Sequence, residues 1–329
     1  MSSFQKKAFF GFLLYFFFFV LVSKASAHVK WFVDSSSNII PSYSLSELPV
    51  LSLLTIVIVI LIVSFFLDRI LKIPGKYRLN LTKLENGVTT LFSLLVGLSL
   101  VLFSINGYLF APNLEASTNL DLVLVSIQTL CGIALFLGLF NRPAAATLLL
   151  LYFAVGTRFG FGNMLDTLDV LGIGLFLLIA GRPKWNLFDI KSKILNKLQA
   201  YAVPLLRVFT GLNLLILGFS EKILDPNLGQ TFLTSHPWNF MKILGFDWFS
   251  DRTFVLFAGG FESLFGLLLI FGLITRLTSL ALAGFFITTL VLLGPIELIG
   301  HLPHFAIVFV LLVFGSGDKL RLGNLFAKN

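Results

Sequence analysis

Apolar residues along this chain come in continuous runs, and polar positions are largely confined to the gaps between them. Runs of roughly 17 to 25 residues have the length a helix needs to cross a hydrocarbon core of about 30 Å. Only helices and closed barrels satisfy the backbone in that medium, and a barrel strand would alternate. The pattern predicts helices over 48–67, 87–110, 122–140, 144–159, 165–180, 202–224, 254–274, 277–294 and 302–315. A further apolar run, 8–22, follows Lys6 and Lys7 and precedes Ala25, Ser26 and Ala27, the order of a cleavable secretory signal. Left uncleaved, the same run would be a signal anchor with the downstream orientation unchanged.

The runs repeat. GLSLVLFSINGYLFAP at 97–112 matches GLNLLILGFSEKILDP at 211–226, and the segment from Ser126 matches that from Gly260, with Gly132/Gly266, Gly138/Gly272 and Arg142/Arg276 in register. The expected fold is therefore all-α: a polytopic membrane bundle of about nine helices, one leading helix plus two four-helix repeats. The expected division is a signal over 1–27, an outer segment and first helix over 28–84, a degenerate first repeat over 85–199 and a second repeat over 200–329.

Composition agrees with a bilayer setting, with 57% hydrophobic and 12% charged residues and a mean hydropathy of +0.95. The net charge of +8 does not call for nucleic acid. Lys and Arg gather at alternate helix ends, around 69–83, Arg142, 182–197, Arg276 and 319–328, which the positive-inside rule places in the cytoplasm. The mature N-terminus is then outside and the C-terminus cytoplasmic. Cys131, the single cysteine, excludes an internal disulfide and a CxxC redox motif. No P-loop, G-x-G-x-x-G, H-E-x-x-H or G-x-S-x-G motif occurs.

The two repeats differ where chemistry would sit. Gly107 and Tyr108 face Glu221 and Lys222, and Gln128 faces Glu262. Glu262 falls about 13 Å into its run when the helix is counted from Thr253 at about 1.5 Å per residue. A carboxylate there requires a partner or a proton. Gly259 and Gly266 flank it on a stripe where another helix can approach. It reads either as a proton carrier, metal ligand or quinone contact, or as an interhelical hydrogen bond of the kind Gln128 offers. Lys222 either snorkels to the interface or pairs with Glu262 across two helices.

His301 and His304 stand three apart at the outer start of the last run, on one helix face, with Pro303 between them marking a helix start. They read as copper or zinc ligands, or as interfacial helix-start residues. If cleavage follows Ala27, His28 becomes a free N-terminus on the same side, able to chelate Cu(II) with them. His236 reads as a surface residue between the interfacial anchors Trp238 and Trp248.

Arg207, Gly211, Gly218, Lys222 and Pro226, followed by Glu262 and the sequence GLITR, resemble the DoxX/DoxD family of four-helix membrane proteins. The resemblance covers 200–317 well and 87–183 more weakly, since the first repeat lacks the Arg, Lys and Glu. It implies a small subunit of a bacterial inner membrane tied to redox chemistry, because some relatives belong to thiosulfate:quinone oxidoreductase and others to oxidant-defence complexes. The expected function is a quinone- or metal-linked redox component, with a membrane or periplasmic redox partner and its working face in the outer half of the second repeat. Glu262 and Lys222 would be its catalytic residues; His28, His301 and His304 its metal ligands. A non-catalytic scaffold and, with less support, a small-solute transporter are the alternatives.

Overall fold

The computed structural model describes residues 41–71, 81–181, 192–294 and 296–325. Nine long helices dominate these residues: α1 (Leu48–Ile70), α2 (Leu81–Ile105), α3 (Asn119–Leu137), α4 (Asn141–Phe159), α5 (Leu168–Ala180), α6 (Ala202–Gly218), α7 (Asp251–Phe271), α8 (Thr275–Leu293) and α9 (Ile296–Phe314). Five segments, Leu48–Ile70, Asn86–Ile105, Asn119–Leu137, Lys193–Leu224 and Asp251–Phe271, are long and apolar enough to cross a membrane. Leu168–Ala180, Thr275–Val291 and Leu298–Phe314 are shorter apolar helices. The chain is a multi-pass helical membrane protein. A small antiparallel ribbon, β1 (Tyr108–Leu109) and β2 (Ala111–Glu115), follows α2.

Helices α2 to α5 form one unit and α6 to α9 another, each with consecutive helices in contact, while α1 lies against α7. The units are locked by exchange: α2 packs on α9, and α6 packs on α5. The same devices recur at aligned positions. Gly138 and Gly272 end α3 and α7 in the left-handed conformation, at φ 67 and 66, where a side chain would be strained.

The first two helices of each unit meet through glycines. A Cβ on Gly132 would lie 2.9 Å from the Gly97 carbonyl oxygen, and one on Gly266 2.6 Å from that of Gly211. The second unit adds another close pair, Gly218 and Gly259, where a Cβ on either would lie 2.7 Å from the other's carbonyl oxygen. Backbones this near exclude any larger residue at the contact.

Arginine side chains tie off the opposite ends. Arg142 donates from Nε to Leu178 O at 3.1 Å and from Nη2 to Ile179 O at 3.2 Å. Arg276 does the same to Leu312 O and Val313 O, both at 3.0 Å. These carbonyls have no further helical turn to bond, so the guanidinium takes its place. Arg207, fully buried, donates to Leu269 O, Ile270 O, Ser316 O and Leu320 O. Its aligned residue in the first unit, Ser93, donates to the aligned carbonyl of Leu135 at 2.7 Å. The family-pattern arginine is thus bound up in holding backbone.

α1 is fastened to the second unit at both ends. Glu47 pairs with Arg252 at 2.6 Å, and Asp68 accepts from Arg321 at 2.7 Å and from Ile274 N at 3.1 Å.

Candidate functional site

The regular turn of α6 gives way at Phe219–Leu224 to a π-helical turn, which carries Glu221 and Lys222. A π turn holds an extra residue and is often found at functional sites. Here the neighbouring side chains serve different surroundings. Lys222 Nζ donates to Glu262 Oε2 at 2.5 Å, closing a pair between the turn and α7, with 17% and 20% of the two side chains exposed. Glu221 is buried, 2% exposed, and lines a cavity between the two units.

The pairing decides between two expectations for Lys222. It meets Glu262 rather than reaching alone for the interface. α7 also starts earlier than the apolar run, at Asp251, because Ser250 caps it by accepting from Thr253 N. Glu262 is therefore eleven residues into the helix, roughly 17 Å along its axis and deeper than the sequence count gave.

In the first unit the aligned residues also touch, with different chemistry. Gln128, fully buried, accepts at Oε1 from Phe110 N at 2.9 Å. It donates from Nε2 to Tyr108 O and Ser104 Oγ, both at 3.0 Å, and to Leu100 O at 3.3 Å. The amide thereby holds the ribbon, whose Phe110 turns with φ 61 and lines the same cavity.

That cavity, about 40 Å³, lies where α2, α5, α6 and α9 converge, with Ser99, Asp166, Asp169, Glu221 and His304 on its walls. His304 Nε2 stands 3.5 Å from Asp169 Oδ2, joining the last helix of one unit to the last helix of the other. Asp166 ends the short helix Phe161–Asp166, and Asn213 of α6 holds that end by donating to Asp166 O at 2.8 Å.

The two histidines are not where their helix-start reading put them. α9 begins at Ile296 and contains Pro303, so His301 and His304 lie inside it and are buried, 5% and 8% exposed. They do share a face: both rings lie against Phe286, at 4.9 and 5.6 Å. His28 and the signal-like run 8–22 lie outside the described residues. Among the described residues no three His, Cys, Asp or Glu side chains gather closely enough to hold a metal ion. His236 is half-buried, stacked on Phe232 at 4.8 Å.

The sequence comparison set Glu221 against Gly107 without giving it a role, and the expected working face lay in the second unit alone. The cavity instead draws on both units. An available signal was three carboxylates within or beside apolar helices.

Residues 202–295, which comprise α6 to α8, match the family model described as DoxX. The match stops short of α9 and does not extend to the first unit. No curated protein and no solved structure gives a significant match to the chain.

Proposed function

We propose that this DoxX-domain protein is a quinone-linked component of a redox assembly in a bacterial inner membrane. In this reading all nine long helices cross, as one leading helix and two four-helix repeats, with the mature N-terminus outside and the C-terminus in the cytoplasm. The observation that carries the proposal is the pair of Lys222 and Glu262. It lies deep along α7, and each side chain is about one fifth exposed, beside the exposed rings of Phe219 and Phe261. Charge kept on a lipid-facing surface needs a reason, and intramembrane ionisable groups commonly mark a ligand or ion path. A lipid-soluble quinone can reach such a pair from the hydrocarbon. An ammonium has three N–H donors, and the pair accounts for one of them.

The chemistry follows from those positions. Lys222 donates a second N–H to a ring carbonyl oxygen, while Glu262 keeps the ammonium neutralised in an apolar medium. A quinone takes up two electrons and two protons on becoming a quinol. The electrons come from a redox partner in the membrane or periplasm and the two protons from water, and the N–H bond favours the electrons' arrival by stabilising charge on the oxygen.

Protein in nanodiscs loaded with decylubiquinone, then washed, tests this. The charge-neutral double variant Lys222→Met/Glu262→Gln should retain about tenfold less quinone per chain, the loss of one charge-assisted hydrogen bond. Equal retention by wild type and double variant, or none by wild type, overturns the reading.

A scaffold role is the second reading, favoured by Gln128, whose aligned contacts only hold backbone. It predicts that the double variant loses stability while no quinone is retained by either protein.

A further inference from the structure

The cavity between the units is separate from the pair of Lys222 and Glu262, and its walls carry a different chemistry. Its titratable groups come from four places: Asp166 at the end of the short helix before α5, Asp169 at the start of α5, Glu221 on the π turn, and His304 on α9. Tyr152 of α4 acts electrostatically on Asp169, His301 on His304, and Lys222 on Glu221. None of the residues lining the cavity is a lysine or arginine.

Ser99 of α2 adds an independent observation. Its hydroxyl lines this cavity, is 1% exposed, and has no hydrogen-bond partner among the described residues. A buried hydroxyl left without a partner is costly, so such groups are normally met by ordered water. A volume of about 40 Å³ has room for a few waters, since one needs only about 10–15 Å³ by the same kind of measure. Water placed there meets Ser99 and the carboxylates at once, and the walls supply the two to four polar partners it requires.

We propose that the inter-unit cavity is a hydrated proton-holding site, in which Asp169 and His304 share one proton and water links them to Ser99 and Glu221. The 3.5 Å approach sets the exchange. As the N–H bond of the imidazolium breaks, an O–H bond forms on the Asp169 carboxyl, directly or through one water, and no electrons move. The ligand class is water with an excess proton. A metal cation is disfavoured by the same walls, which gather no three-ligand set. The site requires no quinone, so it stands or falls apart from the reading above.

Infrared spectroscopy of the full chain in nanodiscs tests it through the C=O stretch of a protonated carboxyl. Wild type should show this band at neutral pH, and transfer to D2O should shift it promptly, as a hydrated carboxyl exchanges. Asp169→Asn should remove the band, and Ser99→Ala should move it. No band in wild type, a band that survives Asp169→Asn, or one that ignores D2O overturns the proposal. So does loss of the band on adding Na⁺ at fixed pH, which would make this a cation site. The isotope shift is read on the wild-type protein and so holds even if a variant fails to fold.

Discussion

Gln128 and Glu262 occupy one position in two units, and the difference between them is the clearest guide to what each unit does. Both sit on the second helix of their unit, and both bind the segment that follows the first helix. Gln128 engages that segment through backbone atoms, and a neutral amide with donors and an acceptor meets all of them without carrying charge into the bundle. Glu262 engages a side chain, and the two charges must keep each other. The same scaffold contact is a fixed strap in one unit and a charged, partly buried pair in the other. Polarity inside a membrane protein is thus not in itself a sign of function; what matters is whether neighbouring backbone atoms already use it.

Breaking the pair should have the largest effect. Lys222→Met leaves the Glu262 carboxylate without its cation and should cost about 3–5 kcal/mol of stability. Lys222→Met/Glu262→Gln should recover most of this in unfolding measurements in nanodiscs. A single variant as stable as wild type would mean the pair holds nothing. Transplanting the pair is the next test. Gln128→Glu puts a carboxylate against the carbonyls of Tyr108 and Leu100 and should cost about 2–3 kcal/mol, and adding Tyr108→Lys should return part of it. Failure of that rescue would show that the units are not equivalent at this contact.

The arginines offer a smaller contrast. Arg142 is fully buried whereas Arg276 is exposed, although both bind aligned carbonyls. Arg142→Ala should cost about 1–3 kcal/mol and Arg276→Ala about 0.5 kcal/mol, since water can reach the second set of carbonyls. The smallest effect belongs to the strap that joins α1 to the second unit. The hydrogen bond from Arg252, helped by Ser44 N–H, holds the Glu47 carboxyl at about 2 instead of 4.5. Its stabilisation is complete above pH 4.5 and is lost as pH falls towards 2. Glu47→Gln should flatten the unfolding midpoint across that window, and an unchanged acid dependence would remove Glu47 as its source.

The helices were legible because a bilayer imposes length and composition together, and the glycine register gave the helix pairs. Lys222 and Glu262 could be matched because they fall in facing halves of adjacent runs. Asp169 and His304 could not, since they belong to different units and meet only through the exchange of α5 and α9 partners. Pro303 misled for a physical reason: a proline usually opens a helix, but α9 tolerates one inside, as membrane helices can where neighbours satisfy the freed backbone. The π turn has no spacing signature, so the divergence of Glu221 from Lys222 was not readable.

The exchange of helix partners gives the two units an interface that can be compared with that of a two-fold dimer. Two separate identical units would be bound by their two-fold axis to set every contact twice, with the same residues. The carbonyl contacts of Arg142 and Arg276 fix the register in which Asp169 stands where Pro303 does and His304 where Val170 does. Two copies of the second unit would therefore set His304 opposite a proline, and two copies of the first would set Asp169 opposite a valine. Only one of each, joined in one chain, brings an acid and an imidazole together. An interface between two unlike units is free of that symmetry, so its centre can be heterogeneous.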